Sequence, residues 1–237
     1  MKFLILLKVY SKKMKYVCII PARSGSKRLK DKNIKKLGNR TLLEHAIEFS
    51  FSINSDRVIV SSDSIKYGQI AENNGAEFIR RTVKNSQDSS KDIDVVKELV
   101  LNKHISLSDK VIWLRPCSPF RSYEECNKAI RKFSNSNASS LRSVRKYQEN
   151  PFWHLVLSAK DFAKPLINNN YTTTYLNKLV YPTAEFDIFK VSIALKQNTI
   201  IPNKILTFLT KKYRICDIDT KQDMQYAKYI FNLINKQ

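Results

Sequence analysis

Glycine is nearly missing from this chain: Gly25, Gly38, Gly68 and Gly75 are its only four in 237 residues. None stands two positions from another, so G-x-G-x-x-G is excluded, and no Gly-Lys-Ser/Thr ending makes a Walker-type phosphate loop. The four cysteines (Cys18, Cys117, Cys126, Cys216) form no C-x-x-C and no metal-ligand spacing, which points to free thiols. The three histidines (His45, His104, His154) are scattered and give neither a triad nor a metal site, and helical His45 reads as structural. No apolar run approaches the ~20 residues of a membrane span. Phe3–Leu7 also falls short of a signal-peptide core, and no small-residue cleavage site follows. These absences place the expected protein in the cytoplasm, with no membrane partner. Residues 1–13 read as an extension outside the fold, and 14–237 as one domain.

Acidic residues are scarce too. Asp and Glu number 21 against 42 Lys and Arg, for a formal charge of +21. Thirty of those cations are lysines, spread without a block of five. That dispersion fits drift in composition as well as selection for a polyanion. A non-enzymatic polyanion-binding protein therefore stays an alternative, although no nucleic-acid partner is expected. Either way the positive field favours capture of small anions and weakens with salt.

What is present is an alternation of apolar runs and helical periods. Tyr16–Ile20, Arg57–Ser61, Ala76–Ile79 and Lys110–Leu114 read as strands. Helices open at the capping boxes Thr41–Glu44, Ser122–Glu125 and Thr220–Asp223, with others through Ile65–Asn74 and around Ile93–Val100. This rhythm predicts an α/β fold: a Rossmann-like, doubly wound, mostly parallel sheet. It breaks over about 143–190, read as β-rich irregular structure, and returns with a strand at Tyr213–Ile218.

Three constellations carry the chemistry. Arg23, Ser26, Lys27 and Lys32 crowd the loop after the first strand, beside Gly25. A strand end that delivers small residues and cations together suits phosphate. Asp217 and Asp219, two apart in an extended segment, would face one way with backbones roughly 6–7 Å apart. Such a pair suits Mg²⁺, though Asp219 can equally belong to the helix boundary. Arg115 sits in a loop stiffened by Pro116 and Pro119, placed either for a ligand carboxylate or for a local acid. Asp63 reads as a helix cap. Arg80, Arg81, Asp88 and Asp92 border a polar loop that touches a ligand or is merely solvated.

In this order the motifs resemble the acylneuraminate cytidylyltransferases, which activate sialic acids and related nine-carbon acids. Ile19–Arg28 (IIPARSGSKR) with Lys32-Asn33 is similar to the family opening, and Asp56–Asp63 to its D-R-V-I-V-S-(T/S)-D. Leu114–Arg121 resembles L-Q-P-T-S-P-L-R, and Asp217–Asp223 resembles D-I-D-T-x-x-D. The resemblance spans about 15–235. It implies CTP as substrate, with Arg23, Ser26, Lys27 and Lys32 on the triphosphate and Arg23, Lys27 and Lys32 as the catalytic cations. It further implies Asn33 near the nucleotide, Arg81, Ser90 and Asp92 near cytosine and ribose, and Mg²⁺ on Asp217 and Asp219. A dimerisation excursion at about 143–190 and a homodimer are implied as well. Two departures fall on the acceptor side: Arg115 replaces the family glutamine that faces the sugar acid, and Pro182–Asp187 replaces an Asn-Gly segment. The expected acceptor is a nine-carbon 2-keto sugar acid, neuraminic, legionaminic or pseudaminic in type, with a Kdo-like acid as the alternative.

Overall fold

The computed structural model describes residues 16–53, 55–147, 151–157, 163–166, 178–210 and 217–235. The first strand, β1 (Tyr16–Pro21), is rich in β-branched residues and buried on both faces. Val17 and Ile19 point into one core, Cys18 and Ile20 into the other. That two-sided burial demands a covered central position, and β1 has it: β4 (Arg57–Ser62) pairs with it in parallel on one side and β6 (Lys110–Trp113) on the other. Between β1 and β4 lie the short ribbon β2 (Lys36–Leu37) and β3 (Arg40–Thr41), then α1 (Leu42–Ser52). Thr41 and Glu44 form the full capping box at the start of α1. α2 (Ile65–Asn73) leads to β5 (Glu77–Arg80), and α3 (Asp92–Leu101) crosses the sheet to β6.

After α4 (Tyr123–Ser134), capped by Ser122, the chain enters β7 (Ser140–Lys146). A small ribbon of β8 (Leu155–Leu157) and β9 (Ala163–Pro165) precedes the long β10 (Val180–Lys190), and α5 (Val191–Gln197) leads to β11 (Ile205–Leu209). The main sheet has the order β11-β7-β10-β6-β1-β4-β5. Only β10 runs against its neighbours. α6 (Lys221–Ile234) closes the described chain, its first turn fixed by the Thr220–Asp223 capping box.

The doubly wound expectation therefore holds for 16–134, and the later expectations need correction. The break over 143–190 is narrower than its sequence implies, because β7 and β10 belong to the main sheet. The polar and aromatic residues of β10 hide a strand whose register shifts between Pro182 and Asp187. β11 is an edge strand alternating between exposed and half-buried residues. The strand expected at Tyr213–Ile218 lies mostly outside the described residues, and Asp217 and Ile218 sit in irregular backbone. Residues 1–13, expected as an extension, also lie outside them. Among the described residues, no helix is long and apolar enough to cross a membrane.

α1, α2 and α4 cover one face of the sheet and α3 and α5 the other. The α2–β5 contact is the tightest constraint on a small residue. A Cβ on Gly68 would lie 2.4 Å from the Phe78 ring. Gly68→Ala should destabilise the protein by roughly 1–3 kcal/mol through overpacking. Urea unfolding reads this directly, and an unchanged midpoint would contradict the packing described.

Candidate active site

The strands β1, β4, β5 and β6 end on one edge, and β1 is where the chain order reverses: α1 leads away to β4, and α3 returns to β6. Open α/β sheets bind ligands at such a switch point. Here the loops after β1, β5 and β6, together with Asp219 at the start of α6, enclose a cleft of about 290 Å³.

The loop after β1 is held from two sides. Asp63, just past β4, accepts hydrogen bonds from the Ser24 N–H at 2.8 Å and the Ser24 Oγ–H at 2.6 Å. Asp63 is therefore the anchor of this loop, and the helix cap expected of it falls to Ser64, which accepts from the Tyr67 N–H. Asn33, almost fully buried, donates from Nδ2 to the Arg23 carbonyl at 2.9 Å. It lines the cleft, but its amide serves the loop. Gly25 has no neighbouring atom within 4 Å of where a Cβ would sit, so its small size serves no contact within the fold.

So anchored, the loop presents four cations to two carboxylates. Arg23 and Lys27 pair with Asp88 at 2.6 and 2.5 Å. Arg28 and Lys32 pair with Asp219 at 2.6 and 2.7 Å. Hydrogen bonds from Lys27 and then Arg23 hold the Asp88 carboxyl below the usual carboxylate range. Ser26 lines the same wall. Sequence reasoning left Asp88 undecided in a polar loop and passed over Arg28, although Arg28 falls inside the motif it quoted.

The loop after β5 supplies the second wall. Arg81 is buried, its guanidinium bonded to Ser61 Oγ at 3.2 Å and to the Ser61 carbonyl at 2.9 Å, and burial lowers its pKa. Ser90 Oγ is buried at this wall with no hydrogen-bond partner among the described residues. Asp92 opens α3 and accepts from Arg115 Nη2 at 2.6 Å. Arg115, of the two placements its sequence allowed, takes the local one: Asp92 and Asp187 occupy its two terminal nitrogens. Burial opposes the charge of Arg115, but Asp92 and then Asp187 outweigh it and push the guanidinium pKa up.

Asp217 and Asp219 differ in their surroundings. Asp219 lines the cleft, whereas Asp217 is exposed and lies beside Cys117. The backbone is not a strand here, so the alternation assumed for the pair does not apply; the Ile218 N–H instead bonds the Cys117 carbonyl at 2.9 Å. Burial, with Asp217 next, pushes the Cys117 thiol up to about 12. Among the described residues, no three His, Cys, Asp or Glu side chains group to hold a metal. Asp219 alone suits a hard cation that arrives with phosphate oxygens, since Mg²⁺ needs only one or two protein carboxylates.

Three comparisons bear on this cleft. A family model described as cytidylyltransferase matches residues 17–201. An N-acylneuraminate cytidylyltransferase of Streptococcus agalactiae (strain NEM316) is 26% identical over 215 residues, 89% of this chain and 52% of that protein. The chain thus spans about half the length of that curated relative. A pseudaminic acid cytidylyltransferase of Campylobacter jejuni (strain NCTC 11168) is 26% identical over 228 residues, 93% of this chain and 97% of that one. Among solved structures, a CMP:2-keto-3-deoxy-manno-octonic acid synthetase complexed with CTP matches with a TM-score of 0.68 at 17% identity, over 93% of this chain and 99% of that one. At that identity the likeness speaks for the fold alone. The family match extends from β1 to just past α5 and takes in every loop of the cleft except the Asp219 segment: this chain belongs to the cytidylyltransferase family.

Proposed function

We propose that this chain transfers CMP from CTP to the anomeric hydroxyl of a nine-carbon 2-keto sugar acid, with release of pyrophosphate. The observation that carries the reading is the convergence of Arg23, Lys27, Arg28 and Lys32 on one cleft with Arg81, Ser90 and Asp92. The names of the sialic and pseudaminic acid relatives supply the acceptor class. The four cations exceed Asp88 and Asp219 by two positive charges, which matches the excess negative charge of a magnesium-bound triphosphate. Ser90 Oγ, buried and unpaired, suits a hydroxyl or carbonyl of the nucleoside, because a polar group left so is costly.

In the reaction, the acceptor oxygen forms a bond to the α-phosphorus as the bond to the β-phosphate oxygen breaks in line. The protein's part is positioning and charge stabilisation, as in other phosphoryl transfers. Arg23 and Lys27 would exchange Asp88 for phosphate oxygens; Lys32 would take up the charge that develops on the departing pyrophosphate. Asp219 would hold Mg²⁺ together with the phosphates, and the ion would neutralise triphosphate charge. Asp217, exposed and outside the cleft lining, is left as a weaker candidate for that site. We also propose a homodimer, supported by the β8–β9 ribbon and its flanks, where Trp153, Leu155 and Leu166 are exposed.

Pyrophosphate release tests the reading, measured for each nucleoside triphosphate with N-acetylneuraminate, legionaminic, pseudaminic and Kdo acceptors, with and without Mg²⁺. Release is expected only with CTP, a nine-carbon acid and Mg²⁺; turnover with Kdo alone would move the acceptor class, and none with any acid would overturn it. Lys32→Ala and Asp219→Ala should each cost about 10²–10³ in kcat, in the range of other preorganised electrostatic groups. Near-normal turnover would remove that residue from the mechanism. Asp63→Ala should raise the KM for CTP roughly 10-fold by freeing Ser24, about the worth of one charge-assisted hydrogen bond. An unaltered CTP KM in a folded variant would contradict the anchoring role.

A further inference from the structure

The end of the sheet opposite the cleft carries a row of lysines that the transfer reaction leaves unused. Tyr16 and Lys110 begin β1 and β6, whereas the cleft lies where those strands end. Register sets the row. Lys190 of β10 pairs directly with Lys110, and Lys110 pairs with Tyr16. On the other side the Lys190 N–H donates to the Ser139 carbonyl, and the Ser139 N–H donates to the Lys204 carbonyl. Lys204 therefore stands two strands further along the same end, at the head of β11. The row lies over the last turn of α4. Lys110 Nζ is 5.1 Å from the centre of the Tyr16 ring and 5.6 Å from that of Phe133, and Lys190 Nζ is 5.9 Å from the Phe133 ring.

Lys110 is 5% exposed, a rare place for an ammonium without an acid. Among the described residues, no ion pair includes Lys110, Lys190 or Lys204. The acids closest in the sheet are engaged elsewhere: Asp56 accepts the Tyr16 N–H at 2.7 Å, and Asp109 accepts the Ser106 N–H at 2.8 Å. Burial lowers the Lys110 pKa. Burial, then Lys110 and Lys204, lower that of Lys190. The two rings and the C-terminal end of α4 steady each ammonium singly. They do nothing for the repulsion between them, and like charges directly opposite on neighbouring strands destabilise a sheet.

We infer that Lys110 and Lys190, with Lys204 beside them, form a binding site for a phosphate group, separate from the cleft. Neighbouring strands lie about 4.8 Å apart, so one tetrahedral oxyanion reaches both ammoniums. A phosphate dianion neutralises the pair, which a single carboxylate cannot. Hydroxyls are at hand as well: Tyr16 Oη lies 3.4 Å from Lys110 Nζ and 2.7 Å from Ser134 Oγ. One hydroxyl hydrogen is spent between Tyr16 and Ser134, and the other is left for an anion. Nothing in this site depends on the transfer reaction.

Thermal unfolding of the full chain tests the site, in inorganic phosphate, in glycerol phosphate and in sodium chloride at matched ionic strength. The cleft cations also attract phosphate, so the readout is the difference between wild type and Lys190→Met, which keeps the side-chain length and removes the charge. In chloride the variant should melt no lower than wild type, because a repulsion is gone. In phosphate, wild type should gain roughly 3 °C more than the variant, the scale expected at about ten times the dissociation constant. Lys204→Met, at an exposed position, should lose part of that gain. A gain with both phosphate probes assigns the site to phosphate esters as well as the free ion; a gain with inorganic phosphate alone assigns it to the free ion. Equal phosphate gains in wild type and both variants would overturn the inference. So would a Lys190→Met protein that melts well below wild type in chloride, since the fold alone would then satisfy that charge.

Discussion

Arg23, Lys27, Arg28 and Lys32, crowded into ten residues after one strand, need anionic partners, and the rest of the site follows from how these are supplied. Arg23, Lys27, Arg28 and Lys32 would repel one another across a single loop. Asp88 answers two of them from the loop after β5, and Asp219 answers the other two from 187 residues beyond Lys32. These bonds close the cleft from both sides. They give every cation a partner yet leave two net positive charges, so another anion can enter by exchange. Asp88, Arg23 and Lys27 are all more than a third exposed, so the Asp88 pairs are weak in water and cheap to break. Asp219 and Lys32 are less exposed and form the firmer of the two clamps.

The sheet supplies the geometry for this exchange. Because β1, β4, β5 and β6 run parallel, their loops emerge on one edge, and the crossover at β1 leaves a gap between them. Side chains beneath that edge keep the loops in place. Asp63 holds Ser24, Asn33 holds the Arg23 carbonyl, Ser61 holds Arg81, and Arg121 holds the loop that carries Arg115. Each support is a buried or half-buried polar group whose loss leaves a loop, rather than the core, unfixed. Beside β6 the antiparallel β10 takes the place of a parallel strand, and at the end of its register shift Asp187 binds Arg115.

What the sequence made legible is local. The capping boxes at Thr41 and Thr220 were readable because both partners lie within four residues, and β1 because its apolar run is covered on both faces. The meeting of the first loop with Asp219 was legible at one remove, through the rule that parallel strands end together. Longer pairings were not. Arg115 and Asp187 are 72 residues apart, and nothing near Arg115 announces which acid it will meet. Asp63 was misread because Ser64 beside it caps the helix, leaving the carboxylate free to reach Ser24. β7 and β10 were misread because their inward charges and the bulge disguise strand alternation. Asp217 was given its direction as a strand residue, and its backbone is irregular.

The central claim is that phosphate oxygens take over the cations now held by Asp88 and Asp219. A crystal structure of the protein with CTP and Mg²⁺ measures this directly. The account predicts the triphosphate within hydrogen-bond distance of Arg23, Lys27 and Lys32, with the Asp88 pairs broken and the base beside Ser90. A nucleotide seated elsewhere, with all four ion pairs intact, would contradict it.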